Sequence, residues 1–379
     1  MTNNEKKSLL IVSGDHSADM YVSNIIKELK KSAPDLRIAG TGGDKMKEAG
    51  MELLWHLNDM SVIGLWEAIY KANVIKKVRK SLLDFISRNN VCAAMLVDYP
   101  GFNLYFANLL KKMNIPVIYF ISPQVWAWRS GRIKKIKERV DKILVILPFE
   151  EAIYRRAGVD TEFVGHPLLE IMSGESSAER KGSIRNNDGN YRIALLPGSR
   201  KKEIEYLIKD MIGAAEIVSQ RMENVSFILP LAPGIDRQII EKNLAGKEIS
   251  LEIVNGQARE ILKSSDFAVI CSGTATLEAA ITETPFIIVY RLSKMTEILG
   301  KRLLKIKNWG LVNIIAGAEV VPELQQEEVN PENIASFILE SLKSEERLNE
   351  TKRNLFELKK MLGSADVSKR VSEILLQYV

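Results

Sequence analysis

Cysteine is scarce: Cys92 and Cys271 are the only two in 379 residues. Each lies in an apolar stretch, so they read as buried thiols of a reducing compartment, not as a disulfide framework or a metal cluster. Histidine occurs three times, at positions 16, 56 and 166, and no group of His, Asp and Glu has metal-ligand spacing. No window approaches the roughly 18 apolar residues of a membrane span. The opening "MTNNEKKSLLIVSGDHS" has only about five consecutive apolar residues, where a signal peptide needs roughly 7 to 15. A soluble, cytoplasmic protein is expected. Two common phosphate signatures are missing as well. No Gly-Lys-Ser/Thr forms a Walker loop, and "GTGGDKM" (40–46) has Lys45 where a dinucleotide fingerprint needs its third glycine.

Charge of one sign is not in large excess. Lys and Arg number 53 against 48 Asp and Glu, for a net +5. This mild basicity suits an anionic ligand or membrane face. No RNA- or DNA-binding motif appears with its spacing, so nucleic acid is not an expected partner.

What the chain does have is a soluble composition, 46% hydrophobic and 27% charged, and a length that exceeds one ordinary core and suits two domains. Short apolar runs alternate with helical patterns. The strands expected are 8–13, 36–40, 92–97, 116–121 and 142–147, then 192–196, 225–231, 250–254, 266–270 and 285–290. Runs that are apolar throughout and separated by helices indicate parallel strands covered on both faces. The fold class is α/β, doubly wound. The polar, Gly- and Ser-rich stretch 171–190 reads as a linker. It sets off a Rossmann-like domain over 1–170 from a second over 191–342, and the charged helical tail 343–379 is expected to pack back on the first.

Ligands of open parallel sheets bind at the carboxyl ends of the strands, so the polar turns there are the candidate sites. "LPGSR" ends at Arg200. Gly198 allows close backbone approach, Ser199 suits a helix cap that also bonds phosphate, and Arg200 presents a planar fork of donors. Glu203, in the helix that follows, is counted with this loop. In "CSGTATLEAA" (271–280), Ser272, Gly273 and Thr274 open a helix whose N–H groups favour an anion, and Glu278 stands one turn in, placed for ribose hydroxyls. With no metal cluster or cofactor motif, a bound diphosphate would be neutralised by helix ends and Arg200. Two facing Rossmann-like domains with metal-free diphosphate binding point to a nucleotide-sugar enzyme of the GT-B architecture.

In the first half, "GDHSAD" places Asp15, Ser17 and Asp19 after the first strand. "DYPGFN" puts Asp98 at a strand's carboxyl end, followed by a Pro100–Gly101 turn and Asn103. "SPQVWAWR" adds two tryptophans and Arg129.

With "GDHSAD", "MSVIGLWE", "DYPGFN", "SPQVWAWR", "LPFE", "FVGHPL", "LPGSR", "SGTATLE", "VNIIAG" and "VPELQQE" in this order, the chain resembles the lipid-A-disaccharide synthase family, family 19 of the glycosyltransferases, nearly end to end. The resemblance implies an inverting transfer of 2,3-diacylglucosamine from UDP to the 6-hydroxyl of 2,3-diacylglucosamine 1-phosphate, giving a β-1,6 disaccharide and UDP. It implies Asp98 as the base. Asp15, Ser17, Asp19, Asn103 and Arg129 would line the sugar sites. Gly198, Ser199, Arg200, Glu203, Ser272, Gly273, Thr274, Glu278, Asn313 and Gln325 would hold the nucleotide. A homodimer is compatible with the resemblance.

Three departures bear on substrate fit. The family's first motif usually has Glu and Gly where this chain has Asp15 and Ala18; its motif after the strand 92–97 often has a second Asp where this chain has Gly101; and it commonly has "LPN" where this chain has "LVN" (311–313). Residues 62–86 interleave apolar residues with Lys71, Lys76, Lys77, Arg79 and Lys80. That pattern fits a core helix with a solvated basic face, or a peripheral contact with the anionic cytoplasmic face of the inner membrane. Two other readings stay open: another GT-B enzyme on UDP-N-acetylglucosamine (a lipid transferase or a 2-epimerase), and a non-catalytic nucleotide-binding protein at a membrane surface.

Overall fold

The computed structural model describes residues 6–14, 16–60, 67–126, 131–174, 190–291 and 309–379, without the side chains of 16, 17, 60 and 67–72. Two compact units divide the chain, Met1–Gly174 with Leu362–Val379, and Glu175–Met361.

The first unit contains β1 (Lys7–Ser13), β2 (Arg37–Gly42), β3 (Glu52–His56), β4 (Asn90–Val97), β5 (Val117–Phe120), β6 (Lys142–Val145) and β7 (Thr161–Phe163). They pair in the order β3-β2-β1-β4-β5-β6-β7, and every pairing is parallel. The second unit contains β8 (Tyr191–Leu196), β9 (Val225–Leu231), β10 (Leu251–Asn255), β11 (Phe267–Cys271), β12 (Phe286–Tyr290) and β13 (Glu323–Gln325). Their order is β10-β9-β8-β11-β12-β13, again with parallel pairings. Both sheets are doubly wound. Each reverses its strand order once, between β1 and β4 and between β8 and β11, and such a switch point opens a crevice beyond the strands' carboxyl ends.

The inner strands are apolar on both faces because helices cover both sides. In β1 every residue after Lys7 is buried. Leu10, Val12, Leu96 and Tyr119 share a core with Val78 and Leu82 of the helix Glu67–Arg88. The second core joins the same kind of strand residues to the helix Lys201–Arg221. All ten strands expected from the sequence are present within a residue or two. The three that were not expected, β3, β7 and β13, are outer strands. β7 and β13 have three residues each, and β3 is half-buried after Glu52. Too short or too exposed, they carry no continuous apolar run.

The tail divides. The helix Glu345–Met361 packs on the helices Thr274–Ile281 and Pro331–Lys343 of the second unit. Only Leu362–Val379 joins the first unit, so the return begins at 362 and not at 343 as the sequence pattern suggested. There the helix Val367–Leu376 lies against the helices His16–Ser32 and Pro167–Gly174. Glu170 accepts from the Ser368 N–H at 2.8 Å, and Arg370 pairs with Glu162 at 2.6 Å. His166 donates its N–H to the Leu362 carbonyl at 2.8 Å. Its ring is buried, which lowers its pKa to about 4 and keeps it neutral. The "FVGHPL" motif thus serves this junction.

Two glycines meet here. Gly165 and Gly363 have φ of +90° and +93°, and a Cβ on Gly363 would lie 2.9 Å from the Gly165 Cα. Gly363→Ala is expected to cost about 1–3 kcal/mol, from a left-handed backbone that alanine resists and a contact that backbone cannot relieve. A lowered thermal midpoint for the variant checks this; an unchanged midpoint contradicts it.

Candidate active site

In the first unit the switch point lies at the ends of β1 and β4. Ser13 and Thr41, both buried, tie β1 to β2: Ser13 N–H donates to Thr41 Oγ1 at 3.0 Å, and Thr41 Oγ1 donates to the Ser13 carbonyl at 2.6 Å. Gly14 follows, and a Cβ there would sit 2.4 Å from the Tyr99 ring. Only a glycine lets the β1 turn approach the β4 turn so closely.

Asp98 leaves β4 in a left-handed conformation, φ 44°, and Tyr99 repeats it at φ 45°. Two successive non-glycine residues in this region are strained, a mark of functional turns. Pro100 then starts the helix Pro100–Lys112 with its fixed φ and absent N–H. The Asp98 N–H donates to the Phe120 carbonyl at 3.0 Å. Its own carbonyl accepts from the Tyr119 hydroxyl at 2.5 Å and from Asn103 Nδ2 at 2.8 Å. Asp98 is half-buried at the strand end.

Several of the expected residues are engaged with the chain itself. Asn103 is fully buried, and its amide nitrogen donates to the carbonyls of Val97 and Asp98, with Val12 at 3.4 Å. It braces the turn from beneath. Asp19 is likewise committed: its carboxylate accepts from the N–H groups of Gly43, Lys45 and Met46 at 3.0, 3.2 and 3.0 Å, capping the helix Asp44–Glu48. Ser17 sits in the first turn of the helix His16–Ser32. Its side chain, Asp15 and Arg129 lie outside the described residues.

Beside this turn, the loop after β5 is held by a group the sequence reading did not single out. Glu150, 1% exposed, begins the helix Pro148–Arg156. Its Oε1 accepts from Ser122 Oγ at 2.9 Å and Trp126 Nε1 at 3.1 Å. Oε2 is buried with no hydrogen-bond partner among the described residues. Burial raises this carboxyl to about 7, against the pull of the Ser122 and Trp126 bonds. Glu150 thus fixes the first half of "SPQVWAWR". In the sequence it is the last residue of the "LPFE" motif, which has no assigned role.

In the second unit the switch point lies between β8 and β11. Gly198, at φ +116°, turns the chain; a Cβ there would lie 2.7 Å from Glu203 Oε2. Glu203 accepts from the N–H groups of Ser199 and Arg200 at 3.3 and 3.2 Å, and Arg200 Nη1 donates to its Oε1 at 2.5 Å. The loop is wrapped around this carboxylate. Glu203 is therefore engaged with its own turn, and the Arg200 guanidinium stays 80% exposed.

Next to it, Gly273 precedes the helix Thr274–Ile281 with no side-chain cap, and Gly273 and Thr274 are exposed beside half-buried Ser272. An uncapped helix start presents N–H donors and a positive dipole end. Cys271 lies beneath; burial, then the Glu203 charge, push its thiol up to about 12, so it stays neutral. Glu278 accepts from Arg259 Nε at 3.0 Å, both side chains being mostly covered. Arg259, on the helix Ala258–Ser264, had no signal in the sequence beyond its charge.

Asn313, expected at the nucleotide, has its side chain engaged with the chain itself. It is fully buried. Its Oδ1 accepts from Val320 and Val321 N–H, and its Nδ2 donates to the Val321 carbonyl and Glu323 Oε1. Those four bonds exhaust an amide side chain, so Asn313 clamps the turn before β13. Gln325 ends β13 half-buried, boxed with Glu328 across a short 3₁₀ turn.

The Glu150 carboxyl carries a pH signature. With its pKa raised from 4.5 to about 7, the unfolded chain ionises first as pH rises. The folded protein therefore loses stability through that window and is flat above it. Glu150→Gln removes the titration. The stability of the variant relative to wild type should rise by about 3 kcal/mol between pH 4.5 and 8. Urea unfolding at the two pH values measures it; parallel curves would refute it.

Comparison with known proteins then identifies the family. Residues 9–378 match the family model described as lipid-A-disaccharide synthetase. The lipid-A-disaccharide synthase of Syntrophus aciditrophicus is 39% identical over 377 residues, covering 98% of each chain. Among solved structures, UDP-GlcNAc 2-epimerase from Neisseria meningitidis, bound to UDP-GlcNAc, superposes with a TM-score of 0.66 at 13% identity, over 98% of this chain and 100% of that one. The calicheamicin glycosyltransferase superposes at 0.61 with 11% identity, over 99% and 98%. These two share the fold, which is GT-B. The strand order, the strained Asp98 turn and the exposed Arg200 loop thus occur in a chain that belongs to the lipid-A-disaccharide synthetase family.

Proposed function

We propose that Asp98 is the base and Arg200 the diphosphate anchor of a glycosyl transfer between two acylated glucosamines. The chain is a glycosyltransferase of lipid A biosynthesis by its family. Its donor is UDP-2,3-diacylglucosamine and its acceptor 2,3-diacylglucosamine 1-phosphate. The acceptor 6-hydroxyl attacks the anomeric carbon from the face opposite the diphosphate. The new O6–C1 bond forms as the bond from C1 to the diphosphate oxygen breaks, inverting C1. The hydroxyl proton passes to the Asp98 carboxylate. The electron pair leaves with UDP, whose growing charge is met by Arg200 and the uncapped helix start at Gly273. Ser272 and Thr274 add hydroxyl donors, and Glu278, steadied by Arg259, takes the ribose hydroxyls. Asp15, Ser17 and Arg129 belong to the sugar sites. Asn103, Asn313, Asp19 and Glu203 act through the backbone they hold.

The observation that carries this reading is the strained Asp98 turn at the switch point of the first sheet. A carboxylate in so costly a conformation, at the place where ligands of this fold bind, is not explained by packing.

The substrates carry acyl chains, so the protein must meet a membrane. No helix of the described residues is long and apolar enough to cross one. On the helix Glu67–Arg88, Lys76, Lys77 and Lys80 are exposed while Val78, Leu82 and Phe85 are buried. This basic face supports peripheral attachment to the anionic, cytoplasmic side of the inner membrane.

Three measurements test these assignments: UDP release, UDP binding and vesicle flotation. Purified protein given the UDP-sugar should release UDP only when the acceptor is present, with a disaccharide mass appearing. Asp98→Ala should lower turnover by a factor of about 100 or more while UDP still binds. Arg200→Ala should weaken UDP binding about tenfold or more. Near-normal turnover by Asp98→Ala would remove it as the base, and acceptor-independent turnover would point to an epimerase. In flotation with anionic vesicles the protein should rise at low salt and stay down at high salt; absence of binding at low salt would end the membrane assignment.

A further inference from the structure

The Asp98 turn raises a mechanical question. Left-handed backbone at two successive non-glycine residues, φ 44° and 45°, persists only where its surroundings over-determine it. Those surroundings are few and specific. The Asp98 carbonyl accepts two hydrogen bonds, from the Tyr119 hydroxyl at 2.5 Å and Asn103 Nδ2 at 2.8 Å. Both donors are fully buried, one on β5 and one on the helix Pro100–Lys112. Asn103 also reaches the carbonyls of Val97 and Val12, and so links the turn to β1 and β4 at the switch point. The Asp98 N–H is fixed to the Phe120 carbonyl at 3.0 Å. Burial, and after it the Asp98 charge, hold the Tyr119 phenol well above its usual pKa, so it remains a donor.

A residue whose N–H and carbonyl are both pinned has its Cα–Cβ direction set. We propose that Tyr119 and Asn103 are positioning residues for the transfer: they lock the left-handed peptides around Asp98 and thereby aim its carboxylate at the acceptor hydroxyl. This rests on Asp98 being the base. Neither side chain is exposed to substrate, and both act through the Asp98 carbonyl. The function explains why a buried strand otherwise made of Val, Ile and Phe carries a tyrosine, and why an asparagine lies in a helix core.

A purely structural role would show as lost stability; aiming would show in kcat. Tyr119→Phe removes one oxygen and keeps the ring packed. Its kcat should fall about 10- to 100-fold, because a small misplacement of a reacting group is that costly, with acceptor KM and UDP affinity little changed. Asn103→Ser, which shortens the second donor, should give the same pattern. Ile118→Val, a fully buried neighbour on β5 with no polar group, is the control: it should lower the thermal midpoint and leave kcat alone. The proposal fails if Tyr119→Phe keeps wild-type kcat, if the loss falls in KM instead, or if Ile118→Val loses as much. Asp98→Asn runs beside them. Retained turnover there removes the base assignment itself; lost turnover there with a normal Tyr119→Phe removes only the positioning role.

Discussion

Strand direction governs everything in this molecule. Each described strand pairs in parallel with its neighbours, so within each sheet every strand delivers its carboxyl end to the same edge. A parallel sheet needs helices over both faces, and the chain must turn at that edge each time it leaves a strand for a helix. The turns favour polar residues, because their backbone groups have left the ladder and need partners. Polar residues therefore collect along one edge of each sheet. The single reversal of strand order then opens a gap in that edge, between β1 and β4 in one unit and between β8 and β11 in the other. Asp98 and Arg200 both stand in the turns that border those gaps.

The same demand for partners divides the polar residues into two kinds. Asn313 spends all four of its hydrogen bonds on one turn. Asp19 gives both carboxylate oxygens to three backbone N–H groups. Glu203 fills the inside of its loop, and Glu150 gathers Ser122 and Trp126. These are braces, and for the fully buried Asn313 amide leaving a group unpaired would cost about 1–3 kcal/mol. The second kind stays at least partly exposed: the Arg200 side chain, the uncapped start at Gly273 and half-buried Asp98. A family motif holds both kinds side by side, because a ligand contact is only as well placed as the turn beneath it.

This division explains what could be read from the sequence. The ten expected strands announce themselves by mostly apolar runs, and the polar turns after them mark the candidate sites. β3, β7 and β13 do not: β7 and β13 have only three residues each, and β3 is half-buried after Glu52 and ends in Trp55 and His56. Among site residues, position along the chain was legible and direction was not. Asn103 and Asn313 stand in the right motifs, yet whether such an amide faces a ligand or the chain depends on which carbonyls the fold brings within 3 Å of it. The tail shows the same limit. Its helical pattern runs from 331 to 376, and nothing in its amphipathic spacing says that Met361 stays with one unit and Leu362 joins the other. At that break two glycines meet at φ +90° and +93°, and the N–H of a buried, neutral histidine, His166, holds the Leu362 carbonyl.

Why the strain sits at Asp98 and not at Arg200 follows from the different chemistry proposed for each. A diphosphate is a diffuse dianion that several donors share, so an exposed guanidinium on a flexible stem, beside a helix start, can adapt to it. A base must meet one hydroxyl proton along one line, within hydrogen-bond reach. Side-chain flexibility does not help there, and aspartate has the shortest stem of the carboxylates. Its aim is therefore set by the backbone. Two left-handed residues cost of order 1–3 kcal/mol each, and about as much is returned by the three hydrogen bonds that close on Asp98 from Tyr119, Asn103 and Phe120. The turn is thus held at little net cost in stability, which lets a strained conformation persist in a chain of ordinary composition.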